Sequence, residues 1–186
     1  NEKNFSARRT KGTYMPRILL IEFANALFPS GNTRHPLRVK SICMEIVENL
    51  SPTQKESINC SALQMAAILH DMGKRKHGNK KHHKVSASIV EKTFNCKRKQ
   101  KNRDFAKLVK NIILSHKGSF KPKRKGAKEA AILRMADKID RFGRKNDASK
   151  KYEDNIQKIE SYFSLNDVAF FKDLKRACDK VKEIHV

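Results

Sequence analysis

Apolar residues recur at three- and four-residue spacings along most of the chain, and no convincing period-two alternation or internal repeat is present. That pattern predicts an all-α protein. Pro16 can take the first position of a helix that the segment Pro29-Ser-Gly-Asn32 closes. Pro36 opens the next, with Val39, Ile42, Cys43, Ile46 and Leu50 on one face. Ser61 is a candidate N-cap for a helix carrying Leu63, Ala66, Ala67 and His70, stopped at Gly73. A basic loop over residues 74–84 then leads to a helix over about residues 85–94. Phe105, Leu108, Val109, Ile112 and Ile113 form a stripe ending at His116. A second basic loop, residues 118–126, contains Pro122, and helices are expected over about 127–142, 152–163 and 168–184.

The 186 residues suit a single-domain bundle of about seven or eight helices. Residues 1–14 are polar and expected to be mobile. Residues 15–145 should form the main helical domain, with residues 146–186 adding C-terminal helices packed on it.

Charge sharpens this picture. There are 42 Lys and Arg against 19 Asp and Glu, a net of +23. Residues 72–128 hold 20 of those bases with only Glu91 and Asp104, so +18 of the +23 lies in less than a third of the chain. The bases fall in clusters at 74–84, 97–103 and 121–128, which points to an anionic, phosphate-bearing partner, nucleic acid among the candidates. Phe120 is the one aromatic in these loops, too few for a base-stacking platform. The longest apolar stretch, residues 18–28, is interrupted by Glu22 and falls short of the roughly 20 residues a membrane span needs. Glu22 also weighs against a signal peptide. The four cysteines lie far apart, and Cys43 and Cys178 fall on apolar stripes, so buried thiols and a cytoplasmic location are expected.

Several polar groups are appended to core-facing stripes. His35 precedes Pro36, and His70-Asp71 closes a helix in the sequence Leu69-His-Asp-Met-Gly-Lys74. His83 shares a face with Ala87, Val90 and Phe94, His116 ends the Phe105 stripe, and Asp137 lies four residues after Leu133. Burying imidazoles and carboxylates there is costly unless they are paired or bind a metal. Mixed His and Asp ligands suit divalent Mn, Fe, Co, Ni or Zn, and the absence of Cys disfavours a structural zinc knot.

The ordered set His35, His70-Asp71-Met-Gly-Lys74 and Ala136-Asp137 resembles the HD-domain superfamily of metal-dependent phosphohydrolases, over about residues 34–141. The resemblance implies an all-α, HD-type helical bundle in which His35, His70, Asp71 and Asp137 bind a divalent ion, Mg included among the possibilities. His83 and His116 look like the extra histidines of dinuclear members, in which Asp71 would bridge two ions. His82 is the alternative to His83 but lies on a less apolar face, while His77 and His185 read as surface residues. Two subfamily patterns are missing: no Gly-Tyr-Pro follows His116, and Arg75-Lys76 rather than two acids follow Lys74. The implied activity is hydrolysis of a phosphate ester of a nucleotide, oligonucleotide or other polyanion by metal-activated water. Asp71 and Lys74 would be catalytic, with Lys74, Arg38 and Lys117 contacting substrate. The alternatives are a metal-dependent single-strand nuclease, a non-catalytic nucleic-acid-binding HD domain, and a di-iron oxygenase.

Overall fold

Eight helices and no strand occur in the computed structural model, which describes residues 34–94, 100–142 and 147–185. The expected mobile start, the helix expected from Pro16, and Cys96 lie outside the described residues.

Helix α1 (Arg34–Glu48) buries Val39, Ile42, Cys43 and Ile46, the face that the apolar spacing predicts. A short α2 (Pro52–Glu56) follows. It buries no residue, so it leaves no apolar signature to read, although Pro52 opens it in the position a helix start favours. Helix α3 (Cys60–Leu69) begins two residues earlier than a Ser61 cap would set it. Asn59 is the cap, its side chain accepting the Ala62 N–H at 3.0 Å. This helix is apolar nearly all round, and Ala62, Leu63, Met65, Ala66, Ala67, Ile68 and Leu69 are all buried. Removing a side chain such as Leu63 or Ile68 from water contributes about 1.5–3 kcal/mol.

Helix α4 (Lys74–Phe94) starts directly after the turn at residues 70–73, so the expected basic loop over 74–84 is helical instead. Lys and Arg are good helix formers, and their charge hides the helix from an apolar-spacing criterion. Helices α5 (Gln100–Ser115) and α6 (Ala127–Ile139) are joined by the irregular stretch expected at 118–126. Gly126 stands just before α6 with φ +96°, a left-handed conformation that a Cβ would strain. Phe120 in this stretch is buried, its ring 5.5 Å from Tyr162 and 6.2 Å from Phe163. Helices α7 (Ala148–Phe163) and α8 (Val168–His185) complete the chain.

One apolar cluster runs through the molecule from Val39 to Val181 and includes the fully buried Cys43 and Cys178, as their stripes predict. Within it α3 packs against α1, α5 and α6, while α7 and α8 cover α6. This packing brings the start of α1 against the ends of α3 and α6, with the end of α5 beside α3 and α6, and there His35, His70, Asp137 and His116 lie. No helix among the described residues is long and apolar enough to cross a membrane.

Candidate metal centre

Asp71 is the hub. It sits 7% exposed in the turn after α3, and four basic side chains approach its two oxygens. His35 Nε2 and His70 Nε2 lie 3.2 and 3.3 Å from Oδ2, and Lys74 Nζ pairs with the same oxygen. On the other side His82 Nε2 is 3.1 Å from Oδ1 and 3.3 Å from His116 Nε2. Asp137 adds a second carboxylate, its Oδ1 3.5 Å from His35 Nε2 and 3.9 Å from His70 Nε2.

The rings are aimed by partners on their far sides. His70 Nδ1 donates to the Ala67 carbonyl at 2.7 Å, and His116 Nδ1 donates to the Ile113 carbonyl at 2.6 Å. Both partners lie three residues back, where a helix's last turn leaves carbonyls unpaired. His35 Nδ1 donates instead to the Asp140 carboxylate at 2.6 Å. A proton on Nδ1 leaves Nε2 as a lone-pair donor, the arrangement that outer partners impose on metal-binding histidines.

The Nε2 atoms of His35 and His70 are buried without a hydrogen-bond partner, although Asp71 Oδ2 lies close to both. Unpaired buried nitrogens facing carboxylate oxygens are costly in a bare protein, and a divalent cation among them satisfies all of these groups at once. Two sets of donor atoms are each gathered within 4.8 Å: His35, His70 and Asp71, and Asp71, His82 and His116. The residues present therefore fit one or two ions of the divalent class, with Asp71 common to both sets.

The electrostatics agree. Burial would raise the Asp71 carboxyl, but the neighbouring His70, with His35 and His82 close by, holds it far below the usual carboxylate range. Burial acts the same way on Asp137, where Lys138, His70 and Arg141 outweigh it and keep the group ionised. Burial and the adjacent His70 push His116 well below an ordinary histidine, keeping it neutral. Burial lowers His35 too, yet its contacts with Asp140, Asp71 and Asp137 prevail and raise it to about 8. In the bare protein three carboxylates thus hold this ring protonated, and a bound cation would have to displace the Nε2 proton.

His83 takes a different place from the one its apolar face suggests. It is half-buried on α4, its ring 5.9 Å from that of His82 and 6.2 Å from that of His116, and it belongs to neither donor set. His82 is the buried residue that meets Asp71 and His116. The reason lies in α4 beginning early. With the helix continuous through this region, His82, Ser86 and Val90 form a buried line at four-residue spacing. Gly73 makes the approach possible: a Cβ there would stand 2.4 Å from the His82 carbonyl oxygen and 2.8 Å from Val85 Cβ. Its N–H also donates to Ser86 Oγ at 2.9 Å. The glycine is thus needed for close packing of α4 on the 70–73 turn rather than as a left-handed helix stop.

Cations rim the centre. Lys138 Nζ lies 2.6 Å and Arg141 Nη2 3.1 Å from Asp137 Oδ2. Lys117 follows His116, and burial together with the nearby Lys74 lowers its pKa. Arg38 points to Asp140, with Nε 2.7 Å from Oδ1, so the one carboxylate holds both His35 and Arg38. Sequence reasoning overlooked Asp140, Lys138 and Arg141. Asp140 is the C-cap of α6, three residues beyond Asp137, and its partners His35 and Arg38 lie more than 100 residues away in sequence. His185 lies 2.7 Å from Glu45 at the far end of α8, away from these residues in the sequence.

No curated protein and no solved structure gives a significant match. The family model described as HD domain matches residues 33–141, a stretch that contains His35, His70, Asp71, His82, His116, Asp137 and Asp140. A match over more than half of the 186 residues makes this chain a member of the HD domain family, a superfamily of metal-dependent phosphohydrolases.

Proposed function

We propose that this chain hydrolyses phosphate esters, with His35, His70, Asp71 and Asp137 holding one divalent ion and Asp71, His82 and His116 holding a second. The observation that carries the reading is the pair of buried, unpartnered Nε2 atoms facing a carboxylate that two donor sets share. A divalent ion bound there would lower the pKa of a bound water to about 7 and so supply a nucleophile at neutral pH.

The chain's own residues do the rest. Asp71, kept ionised by its neighbours, orients what is bound between the two sets and can accept a hydrogen bond from the attacking water. Lys74, which pairs with Asp71 Oδ2 in the bare site and would be released when a cation takes that oxygen, and Lys117, which follows His116, supply ammonium groups for the non-bridging oxygens of a phosphate. Lys138 and Arg141 brace Asp137 from outside. Arg38 shares Asp140 with His35 and remains 44% exposed along its side chain, so it can meet a substrate anion without leaving the carboxylate.

The substrate is a nucleotide, oligonucleotide or other polyanion. Lys121, Lys123, Arg124 and Lys125 are exposed in the stretch that follows His116, and they favour a ligand with several phosphates over inorganic phosphate alone. Phe120 is buried against α7, so the aromatic of this stretch offers no ring for base stacking. That favours phosphate recognition over reading of bases.

The test is phosphate release from nucleotides, short polyphosphates and single strands with added Mn, Fe, Co, Ni, Zn or Mg, beside metal analysis of the purified protein. Turnover should need metal and should vanish in Asp71→Ala with helicity retained. Full activity in that variant would overturn the assignment. Fragmentation of single strands without turnover of nucleotides would select the nuclease reading. Tight polyanion binding unchanged in Asp71→Ala, with no turnover by any metal, would select a non-catalytic binding domain.

A further inference from the structure

Arg134 differs from the other cations near the centre, because it is almost completely buried, at 2% exposure. It lies on α6, one turn before Asp137. Its Nη1 donates to the Ser115 carbonyl at 3.2 Å and its Nη2 to the Gly118 carbonyl at 2.5 Å. One guanidinium therefore clamps both sides of the turn that carries His116 and Lys117. Its Nε donates to Asn155 Oδ1 on α7, and Asn155 Nδ2 is anchored on the Lys151 carbonyl of the same helix. Phe120 closes the pocket, with its ring centre 5.7 Å from the guanidinium carbon.

The other bonds of this turn run back to its own helix: His116 Nδ1 donates to the Ile113 carbonyl at 2.6 Å and Ser115 Oγ to the Asn111 carbonyl at 3.0 Å, while the His116 N–H reaches Ile113 only at 3.4 Å and Gly118 has φ +77°. Arg134 is what ties the turn to α6 and α7. The planar fork of an arginine spreads its donors over three nitrogens, here one to each of three separated oxygens, whereas the three donors of a lysine radiate from one nitrogen. Displacing this turn moves His116 Nε2 relative to Asp71 and His82, whereas His35 and His70 rest on α1 and α3.

We propose that Arg134, set in place by Asn155, is the positioning residue for His116 and Lys117. Helix α7, which follows the residues matched by the family, is thereby part of the His82–His116 half of the centre. This rests on the metal reading above for its functional consequence, but the positioning itself does not.

The experiment uses the full chain labelled with ¹⁵N-histidine, with imidazole resonances followed before and during a Zn²⁺ titration. The variants are Arg134→Lys, Asn155→Leu and Asn155→Asp, the last keeping an acceptor oxygen for Arg134. Before Zn²⁺ is added, His116 should be displaced or broadened in Arg134→Lys and Asn155→Leu and restored in Asn155→Asp, with His70 unmoved in all three. On titration, half-saturation at His82 and His116 should rise about 10–100-fold in the two damaging variants, the range expected for loss of an outer support. His35 and His70 should titrate as in the wild type. An unchanged His116 in both variants, or an equal shift of all four histidines, would overturn the proposal. If Arg134→Lys fails to fold, the Asn155 pair decides. If Zn²⁺ leaves the wild-type imidazoles unmoved, the metal reading falls, and the Zn²⁺-free spectra still judge the positioning.

Discussion

Gly73→Ala puts one methyl group where the structure has room for none. The new Cβ would lie 2.4 Å from the His82 carbonyl oxygen, 3.0 Å from His82 Cα and 2.8 Å from Val85 Cβ. Carbon–oxygen and carbon–carbon contacts settle at about 3.3–4.0 Å, so α4 must retreat by about 1 Å. The obstacles are backbone and a Cβ, not the free end of a flexible side chain, so rotamer changes cannot relieve them. Overpacking of this kind costs about 1–3 kcal/mol. The Gly73 N–H bond to Ser86 Oγ, 2.9 Å in the wild type, is strained by the same movement. For a domain of this size the stability loss corresponds to a fall in Tm of about 2–12 °C. The functional loss should be larger, because His82 Nε2 lies 3.1 Å from Asp71 Oδ1 and retreats with α4. A misplacement of about 1 Å can cost on the order of 100-fold in turnover. The assays are calorimetric Tm and metal stoichiometry, followed by phosphate release. A Gly73→Ala protein with wild-type Tm and undiminished metal binding would refute the close-approach argument.

Other outcomes follow from the same geometry. Asp140→Asn removes the charge that faces His35 Nδ1 and Arg38 Nε, and metal affinity by calorimetric titration should fall about 10–100-fold; an unchanged affinity would remove Asp140 from the account. His82→Ala should abolish binding of the second ion, whereas His83→Ala should leave metal stoichiometry at the wild-type value, because His83 belongs to neither donor set. Asp173 joins α8 to the start of α2, accepting the Ser51 N–H at 2.7 Å and pairing with Arg176. Burial would raise its carboxyl, but Arg176 and Ser51 prevail and lower it. A depressed carboxylate stabilises the fold above its unfolded pKa of about 3.9 and loses that contribution as pH falls through the lower folded value. The Tm advantage of wild type over Asp173→Asn should therefore be full at neutral pH and shrink below about pH 4; a gap independent of pH would contradict this sign.

The apolar stripes of α1, α5, α7 and α8 are legible because each is a surface helix with one buried face. The core helix α3 is legible only by its run of small and aliphatic residues, since burial on all sides removes amphipathic contrast. Helix α4 is concealed by its charge, and that single error carries into the site. Placing the helix start near His83 favoured the face of Ala87 and Val90, whereas a start at Lys74 brings His82 over Gly73. His35, His70, Asp71, His116 and Asp137 stand out in the sequence because imidazole and carboxylate at the ends of apolar stripes need a reason to be there. Asp140 and Arg134 are not legible in the same way. Their partners are 105 residues away in the case of His35 and main-chain carbonyls in the case of Arg134, and neither kind of contact leaves a local pattern.

Asp71 stands in both sets of donor side chains, so a cation held by each set would share it as a ligand. Anomalous diffraction from crystals soaked in Mn²⁺ tests it most directly. Two peaks are predicted, both in contact with Asp71, one beside His35, His70 and Asp137 and the other beside His82 and His116. Peaks only at sites remote from Asp71, or no peak in Mn²⁺-saturated crystals, would contradict the account.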